Sequence, residues 1–400
     1  MPANAPPPSP PGAAAGRAPR RPRGRLDLGA VGLQVLAVAA VVALVVYLAD
    51  NVSTNQRLLG IDSDFSYLDD PAGVLVAFSD FSPGQPVREI LLVGLKNTAL
   101  VALPGIALTL VLGTLLGIAR LSPNWLLRKA ATLYVETLRN IPPVLVIIFV
   151  NAAVVLGFLP TIQESFSLFG LVELNNRRLL VASPVWTDGT AAWLVVVGVG
   201  VVAAVVFAVL ATRRSFRTGV PHRRVSRGVA IAVGVATAGY VVLGAPVALS
   251  RPVLDGPSFS GGAAMSTGYF ALLAGLVLYT ASHIAEIVRG SVQAVAKGQV
   301  EAADALGLST GARLRFVVLP QAFRIAIPPT LNQFLNLTKN TSLGLVVAYS
   351  ELTLITQQVI GNGSPAVQST LVLMAVYLCL TLPISALTNV ANRRLQLVER

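Results

Sequence analysis

The sequence predicts an all-α polytopic membrane protein with about eight transmembrane helices. Three observations carry that expectation. The 400 residues are 54% hydrophobic and only 12% charged, whereas a soluble domain carries about a quarter of its residues as charges. The apolar residues gather into runs of about 20, the length a helix needs to cross a hydrocarbon core of about 30 Å. Finally, 23 of the 30 Lys and Arg fall in alternate segments between those runs, the asymmetry that marks cytoplasmic loops. The net charge of +12 therefore reports topology, and no nucleic-acid partner is expected. Both termini are expected on the cytoplasmic side of a multi-pass inner-membrane protein.

Residues 1–28 hold eight prolines and five arginines and read as a disordered basic cytoplasmic tail. The first apolar run, 29–49, is too long for a signal-peptide core and is read as a retained span, followed by an acidic external segment to residue 89. A second span covers 98–119, interrupted by Pro104-Gly105. A basic turn from Arg120 to Lys129 follows, with Trp125 as an interface anchor. The third span, 141–159, opens on Asn140-Ile-Pro-Pro143, because proline is tolerated in a first helical turn. Polar residues 160–190 precede two spans at 191–211 and 229–249, separated by a loop with six arginines and His222. That block reads as a positive-inside anchor, or as a contact for an anionic lipid headgroup. A Pro/Gly/Ser loop leads to the sixth span, 269–290; the seventh, 327–348, starts at Pro328-Pro329, and the eighth covers 369–390. A short tail, 396–400, ends the chain.

Between the sixth and seventh spans lies K-G-Q-V-E-A-A-D-A-L-G-L-S-T-G-A-R-L-R-F-V-V-L-P, residues 297–320, too charged to enter a bilayer yet strongly patterned. Val300, Ala303 and Gly307 fall on one helical face. Gly307 stands where a helix end favours a left-handed glycine, with Leu308 behind it and Ser309 as N-cap of a second helix. Pro320 should stop that second helix. The expected object is a glycine-hinged knuckle of two short helices.

Several chemistries are poorly supported. Cys379 is the single cysteine, so no intrachain disulfide can form. Two histidines, His222 and His283, make a histidine-based metal site improbable, and no cofactor is expected. None of Lys96, Lys129, Lys297 and Lys339 follows a glycine, so no phosphate-cradling P-loop exists and ATP hydrolysis by this chain is not expected. A membrane enzyme would need a convergent acid and base set that these residues do not supply. A secondary transporter would need ion ligands at mid-depth and internal repeats. Only Lys339 lies at depth, and it stays the alternative to the reading below.

The order Glu301-Ala302-Ala303, then Gly307, then Leu319-Pro320 resembles the EAA loop of ABC importer permeases. Asn97-Thr98, Glu136-Thr-Leu-Arg-Asn-Ile-Pro-Pro143, Ala285-Glu-Ile-Val-Arg289 and Leu337-Thr-Lys-Asn-Thr-Ser-Leu343 extend the resemblance to the polar amino acid branch. It covers roughly 90–158 and 268–395, and the larger permeases of general L-amino acid or glutamate/glutamine/aspartate systems are similar in having extra spans. The resemblance implies a type I ABC importer permease core in two parts, 90–159 and 268–395, with a two-span insertion at 160–267. It implies an ATP-binding subunit dimer, a second permease, an extracytoplasmic amino acid binding protein and an amino acid substrate as partners, in contact with membrane lipid. Gly298, Gln299, Glu301, Ala302, Ala303, Gly307, Leu319 and Pro320 would then dock the ATPase. Alternating access would follow, with the 301–307 helix transmitting ATPase closure.

Five residues are candidates for the translocation path. Arg139 reads equally as a snorkelling anchor or a gate. Glu286 pairs with Arg289 at helical spacing, and His283 reads as a packed helix residue. Lys339, with Asn340 and Thr341, sits about 18 Å into its span. It reads either as a contact to nearby carbonyls, Asn336, Asn340 or Thr341, or as a group that meets a substrate carboxylate.

Overall fold

The computed structural model describes residues 28–58, 60, 64–218, 224–245 and 247–395. The expected basic tail before residue 28, His222 with its neighbours 219–223, and the 396–400 tail lie outside the described residues. The chain divides into two compact units, one ending at Asp64 and the other starting at Phe65. That boundary falls inside the segment 29–89 of the sequence reading.

The first unit is α1 (Leu28–Leu58), longer than the apolar run that predicts it. Apolar residues surround its whole circumference, as in a helix facing lipid.

In the second unit α2 (Val87–Arg120) is followed by α3 (Trp125–Arg139) and α4 (Pro143–Phe149), which ends in a π-helical stretch, Val150–Leu156. Four short strands come next, β1 (Phe166–Leu168), β2 (Val172–Leu174), β3 (Arg178–Val181) and β4 (Ser183–Trp186). Then come α5 (Thr190–Thr218), α6 (Arg224–Val242) and the strands β5 (Val247–Ser250), β6 (Val253–Asp255), β7 (Ser258–Ser260) and β8 (Ala263–Ser266). The remainder is α7 (Thr267–Gln293), α8 (Lys297–Ala305), α9 (Thr310–Arg313), a π-helical stretch Leu314–Val318, α10 (Leu319–Asn340), a 3₁₀ stretch Thr341–Val347, α11 (Leu352–Gly361) and α12 (Ala366–Leu395).

Among the described residues five helices, α1, α2, α5, α7 and α12, are long and apolar enough to cross a membrane. Two bent pairs raise that number to as many as seven: α3 with α4 at 109°, and the α9–α10 helix with α11 at 48°. Ser226–Val242 is apolar but shorter, so the expected count of eight is not reached. The 229–249 run is cut at Val242 because Gly244 and Ala245 take left-handed conformations and β5 begins at Val247. The basic turn after Arg120 is also richer than expected. Asn124 caps α3 by accepting from the Leu127 amide at 3.2 Å, and only Leu121 to Asn124 are left as the turn.

α7 is the central helix, with Ala271, Leu272, Leu276, Ala281, Ile284 and Ala285 all fully buried. Beside it runs α2 in the same direction, since Tyr269 at the start of α7 donates to the Leu100 carbonyl while Gly117 near the end of α2 meets Val288. The close approach is made by Gly113 and Gly117, one turn apart. A Cβ at either would lie 2.7 Å from the Cβ of Ile284 or of Val288, the small-residue geometry by which membrane helices pack without hydrophobic help. Tyr134 of α3 donates to the Leu278 carbonyl at 2.9 Å and ties that helix to the same axis. Over the start of α2, residues Tyr67, Ala72, Val76 and Phe81 bury themselves against Val87, Ile90, Leu352 and Ile355.

The 160–190 and 251–267 segments, read from sequence only as polar connections, form antiparallel β structure. β1, β2, β3 and β8 make one sheet in that order, and β4 pairs with β5. Arg178 lies opposite Ser266 and Ser183 opposite Ser250, so the chain leaves and returns through the same ribbon. α5 and α6 form a hairpin on that ribbon, held where Trp193 Nε1 donates to the Ala236 carbonyl at 3.0 Å and packs edge-on against Tyr240. A hairpin whose two ends meet leaves the geometry of its host undisturbed.

Candidate functional site

The knuckle folds as a clamp. α8 ends at Ala305, and Gly307 has φ +72°, the left-handed geometry that its C-terminal position requires. The Gly307 amide donates to the Asp304 carbonyl at 2.9 Å and the Leu308 amide to the Ala303 carbonyl at 3.2 Å, closing the helix end. Ser309 caps α9 by accepting from the Ala312 amide at 3.4 Å, and Arg313 holds both carboxylate oxygens of Asp304, at 2.6 and 2.8 Å. Ala303 is buried, and Val300 packs against the cluster of Val295, Val318 and Ala322. The predicted inner stripe therefore faces the root of α10.

The outer face is the one the sequence singled out. Gly298, Gln299, Glu301, Ala302 and Gly307 are all exposed, and Glu301 has no ion-pair partner among the described residues. Leu306 is 79% exposed, with Phe316 and Leu314 also uncovered nearby.

One expectation fails here. The second helix does not stop at Pro320, which sits in the first turn of α10, immediately after a half-buried Leu319. The backbone stays helical from Thr310 through Asn340 because Leu314–Val318 widens to π-helix. A wider turn relieves the clash between a proline ring and the carbonyl four residues back. The 327–348 span thus begins inside a longer helix, and Pro328-Pro329 lie in its interior instead of opening it. The knuckle is rigidly continuous with a membrane helix.

Glu286 is the hub of a second constellation. Its carboxylate takes Arg120 from the end of α2 and Arg289 one turn on at 2.5 Å, and Arg139 from the end of α3 stands 3.8 Å away. Arg289 also donates to Gln293, leading toward α8. The expected Glu286–Arg289 pair is present, and Arg139 joins it. Arg120 was missed as a partner because in sequence it counts only as a loop charge 166 residues away. His283 behaves as a packed residue, its ring against Tyr279 and its Nδ1 near the Tyr279 carbonyl at 3.2 Å.

Lys339 is the penultimate residue of α10, about 30 Å along from Leu319, and its side chain is exposed. No described residue gives it a hydrogen bond or ion pair. Thr341, fully buried, turns instead to the Thr338 carbonyl at 2.8 Å and to the Tyr377 hydroxyl at 3.4 Å, and Asn340 is half-buried. Of the two readings for Lys339, the internal contact is not seen among the described residues. Nearby stands a carboxylate that sequence reasoning did not single out. Glu351 is fully buried, caps α11 by accepting from the Leu354 amide at 2.9 Å, and accepts from Tyr377 at 2.8 Å. Glutamate is not among the usual N-cap residues, so the sequence carried no plain signal for this cap.

Sequence relatives identify the family. The family described as binding-protein-dependent transport system inner membrane component matches residues 228–397. The general L-amino acid transport system permease protein AapQ of Rhizobium johnstonii is 39% identical over 369 residues, 92% of this chain and 92% of that protein. The glutamate/glutamine/aspartate/asparagine transport system permease protein BztB of Rhodobacter capsulatus is 34% identical over 408 residues, 92% of this chain and 94% of that one. With relatives of 39% and 34% identity each matching 92% of it, the chain belongs to the amino acid branch of the binding-protein-dependent inner-membrane permeases, the membrane subunits of ABC importers.

Proposed function

We propose that this permease carries amino acids inward across the cytoplasmic membrane and that its knuckle is where a separate ATPase docks. The observation that carries the docking is the pairing of opposites in one motif. Its inner face is locked by Gly307, by the Asp304–Arg313 pair and by Val300 on Val318, while its outer face leaves Glu301, Gln299 and Leu306 uncovered. A surface that is stiff behind and unpaired in front suits transmission of force, and α10 is its direct continuation.

The same reading supplies the partners: an ATP-binding subunit dimer, a second permease and an extracytoplasmic amino acid binding protein. ATP is hydrolysed on the ATPase, and the two permeases rock to give alternating access. The ribbon-borne α5–α6 hairpin is an insertion between the two parts of the permease core. The knuckle and both termini face the cytoplasm, because that orientation puts 23 of the 30 Lys and Arg inside. Substrates are broad or of the acidic and amide type, the classes named for the two relatives.

Affinity purification of the tagged full chain tests the docking, with recovery of a stoichiometric ATPase as the expected result. Uptake competition among the common amino acids, in cells lacking this chain, reads the substrate class. A chain that purifies without an ATPase yet still supports ion-driven uptake would establish a secondary transporter instead. For the orientation, a cysteine at Ser226 should react only with membrane-permeant thiol reagents, and one at Ser66 with impermeant reagents added outside. Labelling of Ser226 from outside sealed cells would invert the topology.

A further inference from the structure

A cavity of about 480 Å³ opens beside the first turns of α2, with Lys96 in its wall roughly 36 Å along that helix from Arg120 at 1.5 Å per residue. Its walls come from four places: residues 77–81, the first turns of α2, strand β8, and Ala348–Ser350 at the break before α11. Three charged side chains line it, Asp80, Glu89 and Lys96. The Glu89 carboxylate already accepts from Gln85 at 2.9 Å. Asp80 and Lys96 are exposed to the cavity region and have no hydrogen-bond or ion-pair partner among the described residues.

The backbone there is strained. Among the described residues four non-glycine positions have positive φ, and two of them, Phe78 at 60° and Ala348 at 52°, line this one cavity. Such conformations persist where the surrounding structure enforces them, and they gather at ligand sites. The wall is held in place by Tyr349, whose hydroxyl donates to the Asn97 carbonyl at 3.0 Å, and by Asn97, which donates to the Ser350 carbonyl at 2.8 Å. The volume lies within the roughly 300–1,000 Å³ of small-molecule sites.

We infer that this cavity binds the zwitterionic head of an α-amino acid, Lys96 taking the carboxylate and Asp80 the ammonium. Among the charged side chains of the cavity, Lys96 and Asp80 are the two without a hydrogen-bond or ion-pair partner among the described residues, one of each sign, and they match a ligand that carries both charges, while Glu89 is engaged by Gln85. The inference rests on the transport function above and adds a receiving site to it. Because β8 is the last strand of the 160–267 segment, that segment contributes directly to the site.

The test uses the full chain with its partner subunits in lipid nanodiscs, where both membrane faces are open. Cys379 is replaced by Ser, Ala77→Cys is introduced in the cavity wall, and its alkylation rate is followed with each common L-amino acid added at millimolar concentration. The transported amino acids should slow alkylation, and their α-amides and α-desamino analogues should not. Lys96→Gln should weaken protection about ten- to hundredfold, the loss of a charge-assisted hydrogen bond, while Lys96→Arg retains most of it. Asp80→Asn should behave like Lys96→Gln. Unchanged alkylation with every amino acid, protection by α-amides equal to that by the acids, or full protection in Lys96→Gln would each overturn the site. Uptake measured in parallel separates the two readings. Intact uptake without protection removes the cavity alone, and absent uptake with specific protection removes the transport reading while leaving the cavity.

Discussion

The two ends of the α2–α7 pair handle charge in opposite ways. At the end of α2, Arg120, Arg139 and Arg289 converge on Glu286. At its start, Lys96 and Asp80 face a cavity without partners. Between them the helices touch through Gly113 and Gly117, close enough that no side chain fits. The difference teaches where this molecule is built for rigidity and where for exchange. An ion cluster centred on one shared carboxylate ties α2, α3 and α7 together beside the knuckle, whereas unpaired charges beside an open cavity can take a ligand and release it.

The largest effect should come from breaking the paired end. Glu286→Gln keeps the shape but leaves three guanidinium groups around a neutral amide. Arg120 is only 9% exposed, so its charge cannot be fully screened by water. Removing one partner of a buried pair costs about 3–5 kcal/mol. A marked fall in the thermal stability of the detergent-solubilised chain, read by size-exclusion of a fluorescent fusion, is expected. Glu286→Met combined with Arg120→Met should recover part of it. A variant as stable as the parent would mean that solvent screens the cluster.

A smaller loss should follow from forcing the two helices apart between the ends. Gly117→Leu inserts a side chain where even a Cβ meets Val288 at 2.7 Å, and overpacking of this kind costs about 1–3 kcal/mol. The same assay should show it, together with weakened disulfide cross-linking between cysteines placed on α2 and α7. Smaller again in stability, yet complete in function, is Gly307→Val. A β-branched residue at φ +72° costs about 1–2 kcal/mol and redirects α8. The protein should still reach the membrane, while ATPase recovery, stimulated hydrolysis and uptake are lost; Glu301→Lys should lose the same activities with no loss of stability. Normal transport by both variants would remove the docking assignment.

Much of this was legible in the residues, for reasons that differ by element. The knuckle could be read because its determinants are local: a left-handed glycine, an N-cap serine and an inner stripe all lie within a dozen residues. Pro320 misled because the rule that proline ends a helix holds for a standard turn, and the π-helical stretch Leu314–Val318 changes that turn. The strands escaped because each has only three or four residues and finds its partner far away, as Arg178–Val181 does with Ala263–Ser266. Arg120 and Glu286 could not be paired from sequence at all, since only the parallel packing of α2 on α7 brings them together. Glu286–Arg289, by contrast, needed nothing beyond helical spacing.

The least disruptive variant asks whether the unpaired logic of the cavity end extends into the membrane. Lys339 is exposed on α10, yet its neighbours Leu337, Thr338 and Thr341 are buried, so its face is one that this chain leaves uncovered. A lysine facing lipid near a bilayer centre costs about 2.5 kcal/mol or more. We propose that this face lines a wet surface shared with a second permease, where the ammonium would meet a passing carboxylate. Lys339→Met keeps the length of the side chain and removes the charge. Its thermal stability should match the parent's, since no internal partner is lost. It should assemble with its ATPase and keep basal hydrolysis, while uptake falls at least tenfold. If Lys339 instead served a structural contact with the second permease, the variant would fail to assemble, and Lys339→Arg would restore assembly and uptake together. Wild-type uptake by Lys339→Met would show that the translocation path runs elsewhere.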